Sequence, residues 1–190
     1  MTSCCTPPPE NAFCTPYGKQ QIADGTEKFL ELLPPSQAQL PEARKEAEWI
    51  SDTAFKQSAL LARYYDVILY GWFNNILVNS KLQKRGLCWH YQQDLYAALR
   101  HKHLKYFYLG LTVRDKGKGS SHSCVYVNAK GKGLASSLIL DPWINCGHLQ
   151  IISPNERDDK RWEEDIWSCQ IVPYSFPAGH TYTHEYHIPQ

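Results

Sequence analysis

Hydrophobic and polar positions along the first part of the chain follow a helical pattern, interrupted by proline. The segment GTEKFLELL, residues 25–33, predicts a short helix that stops at the breaker Pro34-Pro35. Residues 1–20 are rich in Pro, Thr and Cys and carry no such pattern. We therefore predict a flexible tail over 1–20 and a single domain over 21–190.

A longer helical pattern begins at Pro41, because proline suits the first turn of a helix and Glu42 suits its positive end. The pattern continues to Asn79, with a break expected near Ser51 and Asp52. Its apolar stripe, at steps of three and four residues, consists of Leu61, Tyr65, Ile68, Leu69, Trp72 and Ile76. A second stripe, on the opposite side, consists of Arg63, Asp66, Tyr70 and Asn74. We interpret this segment as scaffold.

Another helix is predicted to start near Cys88, after the loop NSKLQKRG, because Tyr91, Leu95 and Leu99 continue a helical stripe. The period then changes to that of strands. The β-branched and aromatic runs are LKYFYLGLTVRD, HSCVYVN and SSLILDPW. Helices first and strands afterwards predict an α+β fold, with N-terminal helices packed on an antiparallel sheet. We predict a charged loop or short helix for ERDDKRWEED and an extended tail after it.

The turn NAKGKG between the last two predicted strands allows their residues to be paired. If the loop covers residues 130–133, Val125 opposes Leu138 and His122 opposes Asp141. Opposed residues share a face of the sheet, with Cβ atoms about 5 Å apart. This pairing predicts a hydrogen bond between an imidazole and a carboxylate.

Composition and charge exclude several functional classes. The chain has 190 residues, of which 43% are hydrophobic and 13% aromatic, as in an ordered globular protein. Its net charge of +1 gives no electrostatic reason to expect a nucleic acid as partner. The most apolar long window, residues 59–78, contains Arg63, Asp66 and two asparagines, which disfavours a transmembrane segment.

The cysteines do not follow a metal or disulfide-scaffold pattern. Their number is odd, and no CxxC pair occurs among Cys4, Cys5, Cys14, Cys88, Cys124, Cys146 and Cys169. No signal peptide is visible, so we expect a soluble, cytoplasmic protein. The stretch TSCCTPPPE leaves a second interpretation open, in which the protein is secreted or lipid-anchored in a bacterial envelope. Whether any cysteines form disulfides stays open.

Cys88, His122 and Asp141 have the residue types that nucleophilic amide chemistry requires. A helix start and an imidazolium both favour a thiolate at Cys88. His122 can accept the thiol proton and deliver it to a leaving amine, while Asp141 orients the ring. Backbone N–H groups at the helix start can bind an oxyanion, and the Gln83 side chain is a further candidate donor.

These residues also carry a family resemblance. GLCWHY, SHSCVYV and LILDPW, within residues 84–143, resemble the transglutaminase-like branch of the papain-like cysteine hydrolases. The resemblance implies a cysteine at a helix start that packs against a sheet supplying histidine and aspartate, in the chain order Cys, His, Asp. Residues 121–124 depart from it, since an aromatic residue is expected soon after the histidine. The departure concerns the substrate groove more than the triad.

Other residues near this constellation have alternative interpretations. Trp89, Cys124 and Trp143 are candidates to line the site, although Trp89 and Cys124 also suit packing. Cys146 and His148 form a second Cys/His pair without a helix start. A histidine cluster in the C-terminal tail, interrupted by proline and therefore better read as a surface cluster than a metal site, consists of His180, His184 and His187.

The sequence thus predicts a cysteine-dependent peptidase or amidase that acts on a peptide, protein or other amide through a thioester, without a cofactor or metal. Transfer to an amine, as in a transglutaminase, is the alternative. A compact chain without accessory domains has little to exclude water from a thioester, which favours hydrolysis. A catalytically inactive binding module or lipoprotein of the same fold is the third possibility, and the oligomeric state stays open.

Overall fold

A computed structural model describes residues 6–68, 70–156 and 162–165. Within these ranges five α-helices precede five strands, which confirms the α+β class. The helices are α1 (Pro16–Leu30), α2 (Pro35–Ala38), α3 (Pro41–Tyr64), α4 (Gly71–Asn79) and α5 (Cys88–Leu99). The strands are β1 (Phe107–Arg114), β2 (His122–Ala129), β3 (Leu138–Asp141), β4 (Gln150–Ile152) and β5 (Trp162–Glu164). No helix in the described ranges has the length and apolar character needed to cross a bilayer.

The strands form one antiparallel sheet in the order β4-β3-β2-β1-β5. One face packs on the helices, and alternate residues of β2 face each side. The main core between helices and sheet includes Phe29, Ile50, Leu61, Tyr91, Leu95, Phe107, Val125, Val127 and Leu140. A smaller cluster consists of Cys124, Tyr126 and Ile139, with Leu134, Ile152 and Trp162 packed against it.

Helix α5 is fixed to the sheet by a buried side chain as well as by apolar packing. The Nε2 atom of Gln92 donates to the carbonyl oxygens of Thr112 on β1 and Cys124 on β2, both at 3.0 Å. Gln92 is 2% exposed, so these bonds satisfy donors that no water reaches. They hold α5 at a defined position across the two central strands.

The predicted tail is wrong for residues 16–20, because α1 begins at Pro16 and not near residue 25. The Thr15 hydroxyl caps it by accepting from the Gly18 N–H at 3.1 Å, and proline occupies the first helical position. The helix ends at Leu30. The cap and the N1 proline were a usable signal that the Pro-rich composition obscured.

The predicted break in the next helix is also wrong, since α3 continues through Ser51. The Ser51 hydroxyl donates to the carbonyl oxygen of Ile22 on α1 at 2.7 Å, so this buried polar residue joins two helices. The helix ends instead at Tyr64. Asp66 has a φ of 54°, and the Val67 N–H donates to Ala62 O at 3.0 Å, which is a Schellman ending.

The apolar stripe that the sequence predicts across residues 61–76 is therefore split. Leu61 and Tyr65 are buried, but Ile68, Trp72 and Ile76 are 52%, 63% and 53% exposed. Leu69 lies outside the described residues. A strict three-and-four spacing cannot survive the left-handed residue at the end of α3, because that residue reorients everything after it.

The C-terminal region differs from its prediction where it is described. Residues 162–164 of the charged segment form β5, which pairs with β1, rather than a loop or helix. The short strand β4 was not predicted. Outside the described residues lie 157–161 of the charged segment, the C-terminal tail, Cys4, Cys5 and Cys169.

A buried carboxylate connects α3 to the start of the sheet and generates a stability prediction. Glu46 accepts from the backbone N–H groups of Lys105 at 2.7 Å and Tyr106 at 3.0 Å. Replacement Glu46→Ala leaves both donors without a partner, so we expect a loss of about 2–4 kcal/mol in the free energy of unfolding, measured by urea denaturation. Glu48→Ala, on the exposed side of the same helix, should change it by no more than about 0.5 kcal/mol. Equal losses in both variants would contradict this assignment.

Candidate active site

The hairpin between β2 and β3 brings a histidine, a cysteine and an aspartate together. Val125 pairs with Leu140, so the predicted pairing is wrong by two residues, because a 3-10 turn lengthens the connection. A displacement of two keeps every side chain on its predicted face. Continued along the strands, the pairing sets Cys124 opposite Asp141, with His122 two residues earlier on the same face.

The predicted hydrogen bond between imidazole and carboxylate is present. The Nε2 atom of His122 lies 2.7 Å from Oδ2 of Asp141, and both side chains are almost fully buried. The other carboxylate oxygen, Oδ1, accepts from the backbone N–H groups of Trp143 at 3.1 Å and Ile144 at 3.3 Å. These bonds fix the orientation of the carboxylate, which in turn fixes that of the ring.

Aromatic side chains enclose the His122 ring. Its centroid lies 4.8 Å from that of Trp143 and 5.9 Å from that of Trp162. Trp143 also packs against Gly71 of α4, where a Cβ atom would come within 2.3 Å of the indole, so only glycine fits there. Trp143, predicted as a lining residue, thus lies at the site, whereas Gly71 and Trp162 were not predicted to contribute.

Burial and the neighbouring groups together determine the protonation state of His122. Burial opposes protonation of the ring, but the sulfur of Cys124 and the Asp141 carboxylate favour it, and the pKa of His122 is raised well above its usual value. We ascribe the rise to Asp141, because burial raises the pKa of Cys124 to about 12 and keeps that thiol neutral. An imidazolium is therefore favoured at neutral pH.

Cys124 contacts the same ring nitrogen as Asp141. Its Sγ atom lies 3.4 Å from Nε2 of His122, and the residue is 2% exposed. The sequence allowed either a lining or a core position for Cys124, and it occupies both, since it also belongs to the small cluster with Tyr126 and Ile139.

Cys88 is the first residue of α5 and lies beside the start of β2. Its Sγ atom is 4.0 Å from the carbonyl oxygen of Ser121, the residue that precedes His122. The Nδ1 atom of His122 is buried and has no hydrogen-bond partner among the described residues. The backbone N–H groups of Cys88 and Trp89 likewise have none there, as expected at a helix start. A thiol, a ring nitrogen and two amide donors therefore share one end of the sheet.

His90 shapes the turn that leads into Cys88, a role that was not predicted for this residue. Its Nδ1 atom accepts from the backbone N–H groups of Gly86 and Leu87, both at 3.1 Å. It stands at the third helical position, where glutamate or glutamine commonly makes the same bond. That spacing was the available signal. Burial and the nearby charge of Arg85 lower the pKa of His90 to about 4, so the ring stays neutral and keeps accepting.

The two remaining residues predicted near the site, Gln83 and Trp89, do not contact His122 or Asp141 through any hydrogen bond or ring contact among the described residues. The Nε2 atom of Gln83 donates to the carbonyl oxygens of Tyr65 and Asp66, so both of its N–H groups are directed to backbone and neither is available to an oxyanion. Trp89 is 43% exposed and its ring packs against His90. These contacts give Gln83 a structural position and leave Trp89 at the surface beside Cys88.

The second Cys/His pair has a different chemistry from the first. Cys146 is disulfide-bonded, so it has no free thiol. His148 contacts the N-terminal segment, with its Nε2 atom 2.9 Å from Thr6 O. Within the described residues the free cysteines are Cys14, Cys88 and Cys124. The tail histidines His180, His184 and His187 lie outside the described residues.

No protein-family model, curated protein or solved structure matches this chain.

The neutral His90 ring predicts how acid affects the start of α5. An unfolded histidine titrates near 6.5, so between that pH and about 4 the unfolded state binds the extra proton and the fold loses stability as pH falls. Replacement His90→Gln keeps an acceptor that does not titrate. The stability advantage of the wild type over this variant should shrink by about 2–3 kcal/mol between pH 7 and pH 4, measured by urea denaturation. A difference between the wild type and His90→Gln that does not change with pH would refute the cap.

Proposed function

We propose that the protein is a cysteine-dependent amide or peptide hydrolase in which Cys88 attacks, His122 transfers the proton and Asp141 orients the ring. One observation carries the proposal. The His122 ring is bound to Asp141 through Nε2 and keeps a buried, unpartnered Nδ1, while the Cys88 thiol lies against the residue before it. A ring with one nitrogen anchored and the other free is what a proton-transferring histidine requires.

Cys88 suits the nucleophile better than Cys124, although Cys124 is hydrogen-bonded to the ring. Burial raises the pKa of Cys124 to about 12, and only 2% of its surface is exposed, so it neither ionises nor meets a substrate. Cys88 is 9% exposed, more than Cys124, and is the first residue of α5. It also lies beside free backbone N–H groups.

The reaction follows from these positions. The Cys88 sulfur, its proton held on Nδ1 of His122, attacks the amide carbonyl carbon and forms a tetrahedral oxyanion. The N–H groups of Cys88 and Trp89 can donate to that oxygen. The C–N bond breaks as His122 returns the proton to the leaving amine, and a thioester stays on Cys88. Water then attacks the thioester, gives its proton to His122, and releases the acid and the thiol.

The fold is compatible with a papain-like, transglutaminase-related architecture, which we include in the proposal. Helix α5 begins with Cys88 and packs on the strands that carry His122 and Asp141, in that chain order. The position after His122 where an aromatic residue was expected holds Ser123 and Cys124. Trp143 and Trp162, from other segments, pack against the ring instead.

Thiol labelling tests the nucleophile. In brief treatment of the full chain with iodoacetamide at neutral pH, we expect Cys88 to be alkylated at least about 10-fold faster than Cys14, by mass spectrometry of the peptides. Cys14 is exposed and free, so a solvent-exposed thiol without activation serves as the internal reference. Replacement His122→Ala should remove the advantage of Cys88, whereas His103→Ala, which is exposed, should leave it. Slower labelling of Cys88 than of Cys14 in the wild type would contradict the proposal.

Replacement Asp141→Asn tests the orienting carboxylate. The amide keeps an oxygen for the Trp143 and Ile144 N–H groups but puts an NH2 group toward Nε2 of His122, which favours the wrong tautomer. We expect kcat to fall by about 10²–10⁴-fold with the circular dichroism spectrum unchanged. The substrates are a p-nitrophenyl ester and fluorescently labelled casein.

Asp115→Asn, in the turn after β1, is the matched control and should retain wild-type turnover. Addition of a fluorescent primary amine separates the two fates of the thioester: hydrolysis leaves casein unlabelled, and transamidation couples the amine to it. A wild-type rate in Asp141→Asn would exclude the orienting role, and absence of any turnover together with unselective labelling would favour an inactive binding module.

A further inference from the structure

Three different donor atoms converge at the centre of the site. Sγ of Cys124, a ring nitrogen of His122 and a carboxylate oxygen of Asp141 all lie within 4.8 Å of one another. All three residues are 2–3% exposed. Paired strands hold them, so their spacing is set by the sheet and does not depend on a loop.

The proposed hydrolysis accounts for two of these residues and leaves the third unexplained. Asp141 and His122 suffice to orient and charge the ring, yet Cys124 contacts the same Nε2 atom at 3.4 Å. That nitrogen carries at most one proton and is approached by two groups. A cation between the three atoms would satisfy all of them, because each atom would then contribute one lone pair to it.

We propose that Cys124, His122 and Asp141 bind a zinc-class divalent cation. Thiolate, imidazole and carboxylate are the donors that Zn²⁺ prefers, and three protein ligands leave a fourth position for water or a substrate group. Bond lengths of about 2.0–2.3 Å place tetrahedral donors about 3.3–3.7 Å apart. The separation of Nε2 from Sγ, 3.4 Å, fits this range, whereas that of Nε2 from Oδ2, 2.7 Å, must lengthen as the metal replaces a proton. The sulfur and the carboxylate oxygen, which lie within 4.8 Å of each other, must come into the same range.

The candidate ligands lie next to an exposed segment of the chain. His122 is the first residue of β2, and residues 116–121, which precede it, are exposed. Binding displaces the Cys124 thiol proton and any proton on Nε2, so it releases protons and strengthens as pH rises.

Metal binding would also switch off the proposed enzyme, and this part rests on the proposed function. The metal replaces the hydrogen bond between Nε2 of His122 and Asp141. Asp141 then no longer orients the ring for proton transfer with Cys88. Zinc would act as a reversible inhibitor, and a chelator would restore turnover.

Cobalt titration tests the site without any assay of activity. The full chain, stripped with a chelator and exchanged into buffer, is titrated with Co²⁺, whose thiolate complexes absorb in the near ultraviolet. We expect one equivalent to bind with a thiolate-to-cobalt band, which Zn²⁺ then displaces. Cys124→Ala should abolish the band and weaken binding by at least about 100-fold. Cys88→Ser and Cys14→Ser should bind within about threefold of the wild type.

A second variant guards against loss of the fold. Asp141→Asn keeps its backbone hydrogen bonds and should also weaken Co²⁺ binding by at least about 10-fold, with circular dichroism confirming a folded chain. A band that survives in Cys124→Ala, or that disappears in Cys88→Ser, would overturn the site, as would absence of binding in the wild type. If Co²⁺ binds as expected but Zn²⁺ leaves Cys88 labelling unchanged, the metal site stands and the proposed catalytic coupling fails.

Discussion

The buried carboxylate of Asp141 is the constraint on which this end of the molecule depends. A charge that is 3% exposed is costly unless donors surround it, and the fold supplies them from three backbone or side-chain groups. Two are N–H groups of the chain that turns immediately after β3, and the third is the His122 ring. Neither the turn nor the ring can move without leaving the charge uncompensated. The orientation of His122 is therefore a consequence of the hydrogen bonds that the buried Asp141 carboxylate requires.

The start of α5 is held in place by hydrogen bonds of two buried side chains. The neutral His90 ring closes the turn at Gly86 and Leu87, and Gln92, one half-turn further, bonds to both central strands. Cys88 stands before these two anchors on the same helix. Because buried side chains of α5 bond to the backbone of the strands and of the preceding turn, the position of the Cys88 thiol relative to the ring is fixed by hydrogen bonds that water does not reach. Such support is what a precise site requires.

The sequence predicted which face of the sheet each side chain lies on better than it predicted the β2–β3 register. Because side chains alternate along a strand, an error of two residues in the β2–β3 register left His122 and Asp141 on a shared face and in contact. The helical stripe failed for the opposite reason. One left-handed residue, Asp66, ends α3, and no periodicity announces where a chain will leave the helical region. The role of His90 and the burial of Ser51 depend on distant partners, which a single sequence does not display.

Two thiols flank one imidazole, and the difference between them decides what the site can do. Cys124 meets Nε2, the nitrogen already committed to Asp141, in a place that water does not reach; there a sulfur can be a ligand or a packing atom but not an attacking group. Cys88 lies beside Ser121 at the start of α5. Nδ1 is the nitrogen of the His122 ring that has no hydrogen-bond partner among the described residues. The two ring nitrogens thus separate the proposed ligand cluster from the proposed nucleophile. Under these two proposals a bound cation would oppose catalysis by Cys88, since Nε2 cannot bind a metal and keep its hydrogen bond to Asp141 at the same time.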